Sequence, residues 1–554
     1  MSVKSPELLA PSPREVPSNQ SPPRVGLDEF AINQPLVEAV SRHDAGWAIN
    51  HLHEVGRLVG SEQFQSWAEE ANCHCPALRT HDRYGRRVDE VLYHPAYHEL
   101  LRTAIGLGAH ASPWREPRPG AHVARAALFM LLIQVEPGHG CVTSMAFSAV
   151  PALRAQPDLA AEWEPRLTSL SYDPRVLPAA EKQGALCGMA MTERQGGSDV
   201  RANSTVAVPA EANGEYLLSG HKWLFTAPTC DAFLVLAQTD EGLSCFLVPR
   251  VLADGQRNGI QLQLLVDKLG GRSTATGEVV LDRAWARLVG EPGRGTRTII
   301  EMVSHTRLDC ILSTAAGMRQ AVAEATWHAD HRRAFGRRLV EQPLMRNVLA
   351  DLCLESEAAT ACALRLSRAF DADASPEEQA FRRLAGAIIK YWVCRRGPRH
   401  AFEAMECLGG YGYLETFPLA RRYREQPLMA IWEGSGNVIC LDVLRAMART
   451  PTALVAFFGE LDKARGGDRR LDALVADLRA ELSRGEDLEP RARRMVERMA
   501  LALQASLLIR HAPAEVADAF CASRLSPERG HEYGTLDTST DIGAVLARHA
   551  PPTS

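Results

Sequence analysis

The chain has 554 residues, of which 46% are apolar, with a formal net charge of -5 and thirteen cysteines. That apolar share rules out a disordered protein, and the length calls for three or four domains or one large multi-layer core. The negative balance excludes a wholly basic nucleic-acid coat, and no run reaches the ~20 apolar residues of a membrane span.

Residues 1–28 carry six prolines and several serines and read as a disordered tail. Residues 29–184 read as a helical domain broken by prolines. Its densest segment runs from Val123 to Gln134, with Ala127, Met130 and Leu131 at helical spacing, and Glu136-Pro137-Gly138 ends it. Cys73-His74-Cys75 lacks the further ligands of a metal site, so no metal is expected. The cysteines are scattered singly without a CxxC, the pattern of reduced thiols in a cytoplasmic protein.

Over residues 185–290 the period changes. Thr205–Val208, Tyr216–Leu218, Phe233–Leu236, Leu243–Val248, Ile260–Leu264 and Val279–Leu281 read as short strands, and Asn213-Gly214 is a hairpin signal. Residues 291–448 return to helix in long segments over 296–333, 342–370, 377–407 and 435–448, enough for a bundle. Residues 449–554 form an extra helical region. Leu471, Leu474, Val475, Leu478 and Leu482 trace one apolar face, and Val496, Met499, Leu503 and Leu507 trace another. Opposite the second face lie Arg491, Arg494 and Arg498, a row suited to DNA phosphates or else an ordinary solvated face. Residues 450–554 hold 14 basic and 16 acidic residues, so the region as a whole is not basic. The last 25 or so residues read as loosely ordered.

Two stretches carry chemistry. In Ile431-Trp432-Glu433-Gly434-Ser435-Gly436-Asn437 a carboxylate stands between an indole and small residues that let a planar group approach the backbone. Ser435 is a candidate N-cap, which puts Glu433 at a loop–helix junction suited to a general base. The plainer alternative is a helix-start acid favoured by the macrodipole. The second stretch is Met189 to Val200, containing Met191-Thr192-Glu193 and Gly196-Gly197-Ser198-Asp199.

Together with Gly220-His221-Lys222-Trp223, Asp267-Lys268-Leu269-Gly270, Thr306-Arg307 and Leu408-Gly409-Gly410, these stretches resemble the flavin-dependent acyl-CoA dehydrogenases, and most fully their AidB-type branch. The resemblance runs from about Phe30 to Leu444 and more weakly to Phe520. It implies an α+β fold: an N-terminal helical domain, a central β domain, a helical bundle and an extra C-terminal helical region. It implies FAD as cofactor, a homotetramer and α,β-dehydrogenation of an acyl-CoA, weak and directed to short branched chains such as isovaleryl-CoA. In this branch the extra region also implies binding of double-stranded DNA in the response to alkylation damage; the alternative is a dedicated dehydrogenase without a DNA role. Glu433 matches the base. Met191, Thr192, Gly197 and Ser198 match the flavin and pyrophosphate loop, and Trp223, Leu224, Phe225 and Thr226 match the strand against the flavin. Arg332 and Phe335 match an element that reaches the FAD of a neighbouring subunit. Gly409 and Gly410 match the turn at the adenosine side, and Trp432, Gly434, Ser435 and Asn437 complete the pocket. Glu406 stands where the common family has Gln. A carboxylate there needs a partner, such as Arg399 or an arginine of another subunit.

Overall fold

The structure is a computed structural model that describes residues 19–485, 487–527 and 530–550. Helices dominate both ends of the chain and a single large sheet lies between them. The first helical layer holds Glu62–Cys73, Pro95–Gly106, Ala121–Ile133 and Gly138–Leu153. Every residue of Ala121–Ile133 is buried, which is why that segment is apolar all round rather than along one stripe. The layer is not purely helical as expected. Ala77–His81 and Arg87–Leu92 pair as an antiparallel hairpin, with Asp82 accepting from the backbone of Tyr84 and Arg86 to close the turn.

All six expected strands form: Val206–Pro209, Glu215–Thr226, Ala232–Thr239, Gly242–Pro249, Ile260–Leu265 and Thr276–Val289. A seventh, Cys187–Ala190, escaped the sequence reading because four residues give too little alternation to register; it pairs parallel to Ala232–Thr239. Asn213-Gly214 does sit in the turn between the first two strands, Gly214 with φ +81.

The bundle is built from Gly295–His331, Pro343–Arg368, Pro376–Cys407, Pro418–Ile431 and Gly436–Arg449. The expected segments match four of these. Pro418–Ile431 was hidden by four charged side chains, Arg421, Arg422, Arg424 and Glu425, which blur its apolar face. The C-terminal helices Pro451–Asp462, Arg469–Arg484, Leu488–His511 and Ala514–Leu525 follow, with Val496, Met499, Leu503 and Leu507 all buried.

Two expectations of disorder need correction. The first 18 residues of the expected tail lie outside the described residues, but 19–28 are tied down. Asn19 donates to the Arg333 carbonyl, and Arg24 lies buried against Glu29. Near the other end Leu536 donates to Asn347, and Arg548 bridges Glu38 and Glu357. Polar side chains in both segments find partners on distant helices, a gain that local composition does not reveal. Among the described residues no helix is long and apolar enough to cross a membrane.

Candidate active site

Glu433 lies between the helices Pro418–Ile431 and Gly436–Arg449, with φ +58. Left-handed backbone costs a non-glycine residue roughly 1–2 kcal/mol, so something must hold it there. Two cations do. Lys390, buried in the middle of Pro376–Cys407, donates to the carbonyls of Trp432 (2.8 Å) and Gly434 (2.6 Å). Arg307 donates to the carbonyl of Glu433 at 3.0 Å and is itself fixed by Asp442 at 2.8 Å. The next residue, Gly434, has φ +105, a conformation that side chains rarely adopt. Ser435 occupies the N-cap position of the following helix without using its side chain as a cap.

The Glu433 carboxylate has one buried oxygen, Oε2, with no hydrogen-bond partner among the described residues. Burial raises its pKa above the usual carboxylate range, only partly offset by the Thr306 hydroxyl and the charges of Arg307 and Lys390. A buried carboxylate with an unused oxygen is placed to accept a proton rather than to cap a helix.

The Cys141 thiol is pushed up to about 12 by burial, with the Glu433 charge adding to the effect. Its helix, Gly138–Leu153, is pinned at its start by Glu136, which accepts from Ser273 Oγ at 2.7 Å and from the backbone of Gly138 and His139. Gly138 is required there, since a Cβ would stand 1.8 Å from Ser273 Oγ. Beyond Cys141 lies Lys268, which burial pulls down to about 8 and which donates to Thr276 Oγ1 at 3.1 Å. Thr276 in turn faces Thr226. Gly270, on the same loop as Lys268, lies against the Arg424 backbone of Pro418–Ile431, the helix that leads into the Glu433 turn.

The loop from Met191 to Ser198 is sewn to the sheet. Trp223 donates through its backbone to the Thr192 carbonyl at 3.0 Å, and Asn203 donates to the Met191 carbonyl at 2.8 Å. Glu193 anchors the loop from inside: burial alone would raise its pKa, yet Lys222 Nζ at 2.8 Å, the Thr205 hydroxyl and the Ser204 backbone N–H hold it well below the usual range. Gly197 and Ser198 are exposed on the outer turn, and Thr192 lies over Gly197. Leu224 is half exposed with φ +55, presented by a bulge in the strand. Phe225 points inward and packs on Phe233 with ring centroids 4.4 Å apart, so only its backbone is available to a ligand.

The remaining matched residues form a separate cluster. Arg332 caps the far end of Gly295–His331, 25 residues beyond Arg307, or roughly 38 Å along the helix. Its guanidinium lies 5.6 Å from the Tyr411 ring, beside the Gly409-Gly410 turn, and Phe335 nearby is 98% exposed. Added side chains at Gly196, Gly409 or Gly410 would meet nothing within 4 Å, so all three glycines front open surface. The matched residues of one chain therefore fall into two separated clusters. The donors, the orphaned Glu433 oxygen and the open glycines fit a flavin dinucleotide. Glu406 is exposed and makes no ion pair with Arg399 among the described residues, so the expected partner within the chain is not found.

The expected arginine row is also altered. Arg498 pairs with Glu481 (2.6 Å) and Asp477 (3.4 Å), and Arg491 approaches Glu481 at 3.5 Å, so two of the three face the neighbouring helix. Arg494 is exposed. Sequence reasoning gave no role to Lys390, Arg307 or Lys268. For Lys390 a signal was present: a lysine set among Ile388, Ile389, Val393 and Cys394 on a buried helix needs acceptors in the core.

A fold of this order, with a buried carboxylate on the bundle and a glycine-rich loop on the sheet, defines a flavin-dependent acyl-CoA dehydrogenase, and the chain belongs to that family, in its AidB-type branch. The family model for the adaptive response protein AidB N-terminal domain matches residues 19–174. Those for the acyl-CoA dehydrogenase middle and C-terminal domains match 188–284 and 293–448. AidB of Escherichia coli (strain K12) is 42% identical over 514 residues, 92% of this chain and 94% of the relative. Acyl-CoA dehydrogenase family member 11 of Caenorhabditis elegans is 28% identical, over 76% of this chain and 70% of the relative. The crystal structure of Caenorhabditis elegans ACDH-11 in complex with C11-CoA covers 97% of each chain with a TM-score of 0.85 at 24% identity. The family is one of oxidoreductases whose cofactor is FAD.

Proposed function

We propose that the protein removes the α-proton of an acyl-CoA thioester with Glu433 while the β-hydrogen leaves as hydride, giving the 2,3-enoyl thioester. The observation that carries this is the free, buried Oε2 of Glu433 on a turn clamped by Lys390 and Arg307. Burial makes the carboxylate a stronger base than it is in water, and the clamp fixes its direction before substrate arrives. FAD, when bound, accepts the hydride. Met191, Thr192, Gly197 and Ser198 with Trp223 to Thr226 would hold its ring and pyrophosphate from the β domain, and Trp432, Gly434, Ser435 and Asn437 would hold it from the bundle. Arg332, Phe335, Gly409 and Gly410 would complete the adenosine side for another subunit, which makes the working form an oligomer, most simply the homotetramer. Thirteen free cysteines suit a reducing, cytoplasmic location.

Anaerobic bleaching of the flavin by a panel of acyl-CoA esters, isovaleryl-CoA first, tests the reading. Wild type should bleach, and Glu433→Gln should keep its flavin and fail to bleach. Equal rates in the two proteins would assign the base elsewhere.

A second reading, binding of double-stranded DNA linked to alkylation damage, rests on the family branch and on Arg494, since Arg491 and Arg498 are engaged within the chain. A mobility assay at low salt decides it: retarded duplex supports the reading, and free duplex leaves the dehydrogenase alone.

A further inference from the structure

The turn that carries Glu433 is gripped from a third side, by the C-terminal region that lies beyond the residues matched to the acyl-CoA dehydrogenase domains. Arg493, on helix Leu488–His511, donates through Nε to Asn437 Oδ1 at 2.7 Å. Asn437 is in the first turn of Gly436–Arg449, four residues after Glu433. A Cβ built on Gly436 would stand 3.2 Å from Arg493 Nη2, 3.4 Å from Tyr391 and 3.7 Å from Arg395 Nη1, so two guanidinium groups converge on this point. Neither makes an ion pair with a carboxylate among the described residues, and Gly436–Arg449 has no acid in its first turn. Two unneutralised cations at the positive end of a helix are unfavourable on their own. The arrangement persists because Leu488–His511 packs against Gly436–Arg449 and Pro376–Cys407, with Met495, Val496 and Met499 fully buried, and carries Arg493 with it.

We propose that Arg493 is a positioning residue of the active site. It acts through Asn437, fixing the downstream end of the Trp432–Asn437 segment as Lys390 and Arg307 fix its middle. Three helices thus hold one short segment by three cationic side chains, and the third belongs to the extra region. That region is part of the site's scaffold rather than an appended module. The proposal rests on the flavin-site reading above, because the segment it fixes is the bundle's share of that site.

The test uses full-length protein with Arg493→Met, Asn437→Ala and the double variant. The readouts are FAD affinity, from quenching of flavin fluorescence on titration into apoprotein, and the fine structure of the bound flavin's visible band. Each single change should weaken FAD binding about tenfold, the scale of a charge-assisted hydrogen bond, and alter the band. The double variant should be no weaker than Asn437→Ala alone, because the arginine acts through the asparagine. Arg493→Lys, which keeps the charge and one donor, should recover part of the loss. Apoprotein melting should be nearly unchanged by Arg493→Met, since the side chain is exposed. If wild type binds FAD and Arg493→Met binds it within twofold with an unaltered band, the proposal falls. It falls as well if the two single effects multiply in the double variant. A wild type that binds no FAD overturns the flavin-site reading itself and this proposal with it.

Discussion

Glu433 combines a strained backbone, a buried carboxylate and a free oxygen, and each has a measurable consequence. Its pKa in the fold lies above that of the unfolded chain, about 4.3. Such a group favours folding fully at pH below the unfolded value and loses that contribution as pH rises through the folded value. At neutral pH the ionised carboxylate is therefore a burden that glutamine does not impose. Glu433→Gln should melt about 1–3 °C higher than wild type near neutral pH, with the gap closing toward about pH 4. Calorimetry at the two pH values checks this; a variant that melts lower at neutral pH would make the carboxylate a stabilising partner. Lys390 works in the opposite sense. Lys390→Met leaves the Trp432 and Gly434 carbonyls without their donor in a buried place, at a cost of about 2–4 kcal/mol. It also removes a positive charge that lowers the Glu433 pKa, so the rising limb of a bleaching-rate profile should move to higher pH. Denaturant melts and the pH profile report the two effects separately. An unshifted limb would mean that Lys390 acts on the backbone alone.

At the scale of elements, the helix Leu488–His511 shows how far a pattern can be read. Its apolar face and the opposite placement of Arg491, Arg494 and Arg498 follow from helical spacing, and Val496, Met499, Leu503 and Leu507 are buried as that spacing requires. Spacing is silent on what lies across from the polar face. Glu481 and Asp477 on Arg469–Arg484 occupy it, and they hold Arg491 and Arg498. If the protein binds duplex DNA through this helix, Arg494→Ala should flatten the logarithmic salt dependence by about one phosphate contact, and the triple alanine variant by little more. A triple variant that loses three contacts would show that the ion pairs open on binding. The same limit applies elsewhere. Four of the five bundle helices and six strands were legible because each has its own period. The hairpin at 77–92 and the ordering of 19–28 and 530–550 were not, because they depend on contacts with distant parts of the chain, such as Arg87 with the Leu262 carbonyl, Arg24 with Glu324 or Arg548 with Glu38. At the site, Glu433 was legible from its glycine-flanked setting. Its clamp was not, since Arg307, Lys390 and Arg493 come from three helices whose meeting no local window contains.

For the whole molecule, the decisive length is the roughly 38 Å of helix between Arg307 and Arg332. On the proposed reading, a dinucleotide at the Glu433 turn does not also reach Arg332 of the same chain, and the two clusters are joined between copies. The surface around Arg332 suits such a contact. Phe335 and Leu344, close to it in the chain, are 98% and 82% exposed, and Tyr413, two residues from Tyr411, is 83% exposed, large side chains of a kind a monomer rarely leaves open together. Arg332 is also held within its own chain, donating to the Asn19 carbonyl at 2.6 Å and lying near the Tyr411 ring, so its direction is set before any partner arrives. Cofactor and assembly should then be linked: whatever binds the assembled form stabilises it by mass action. Arg332→Ala should lower both flavin content and the mass in solution, and added FAD should restore mass in part. Phe335→Ser should lower mass first and flavin content as a consequence. Light scattering with flavin absorbance on the same samples reads both quantities. A monomeric Arg332→Ala protein that retains wild-type FAD affinity would separate the two clusters and place the whole cofactor within one chain.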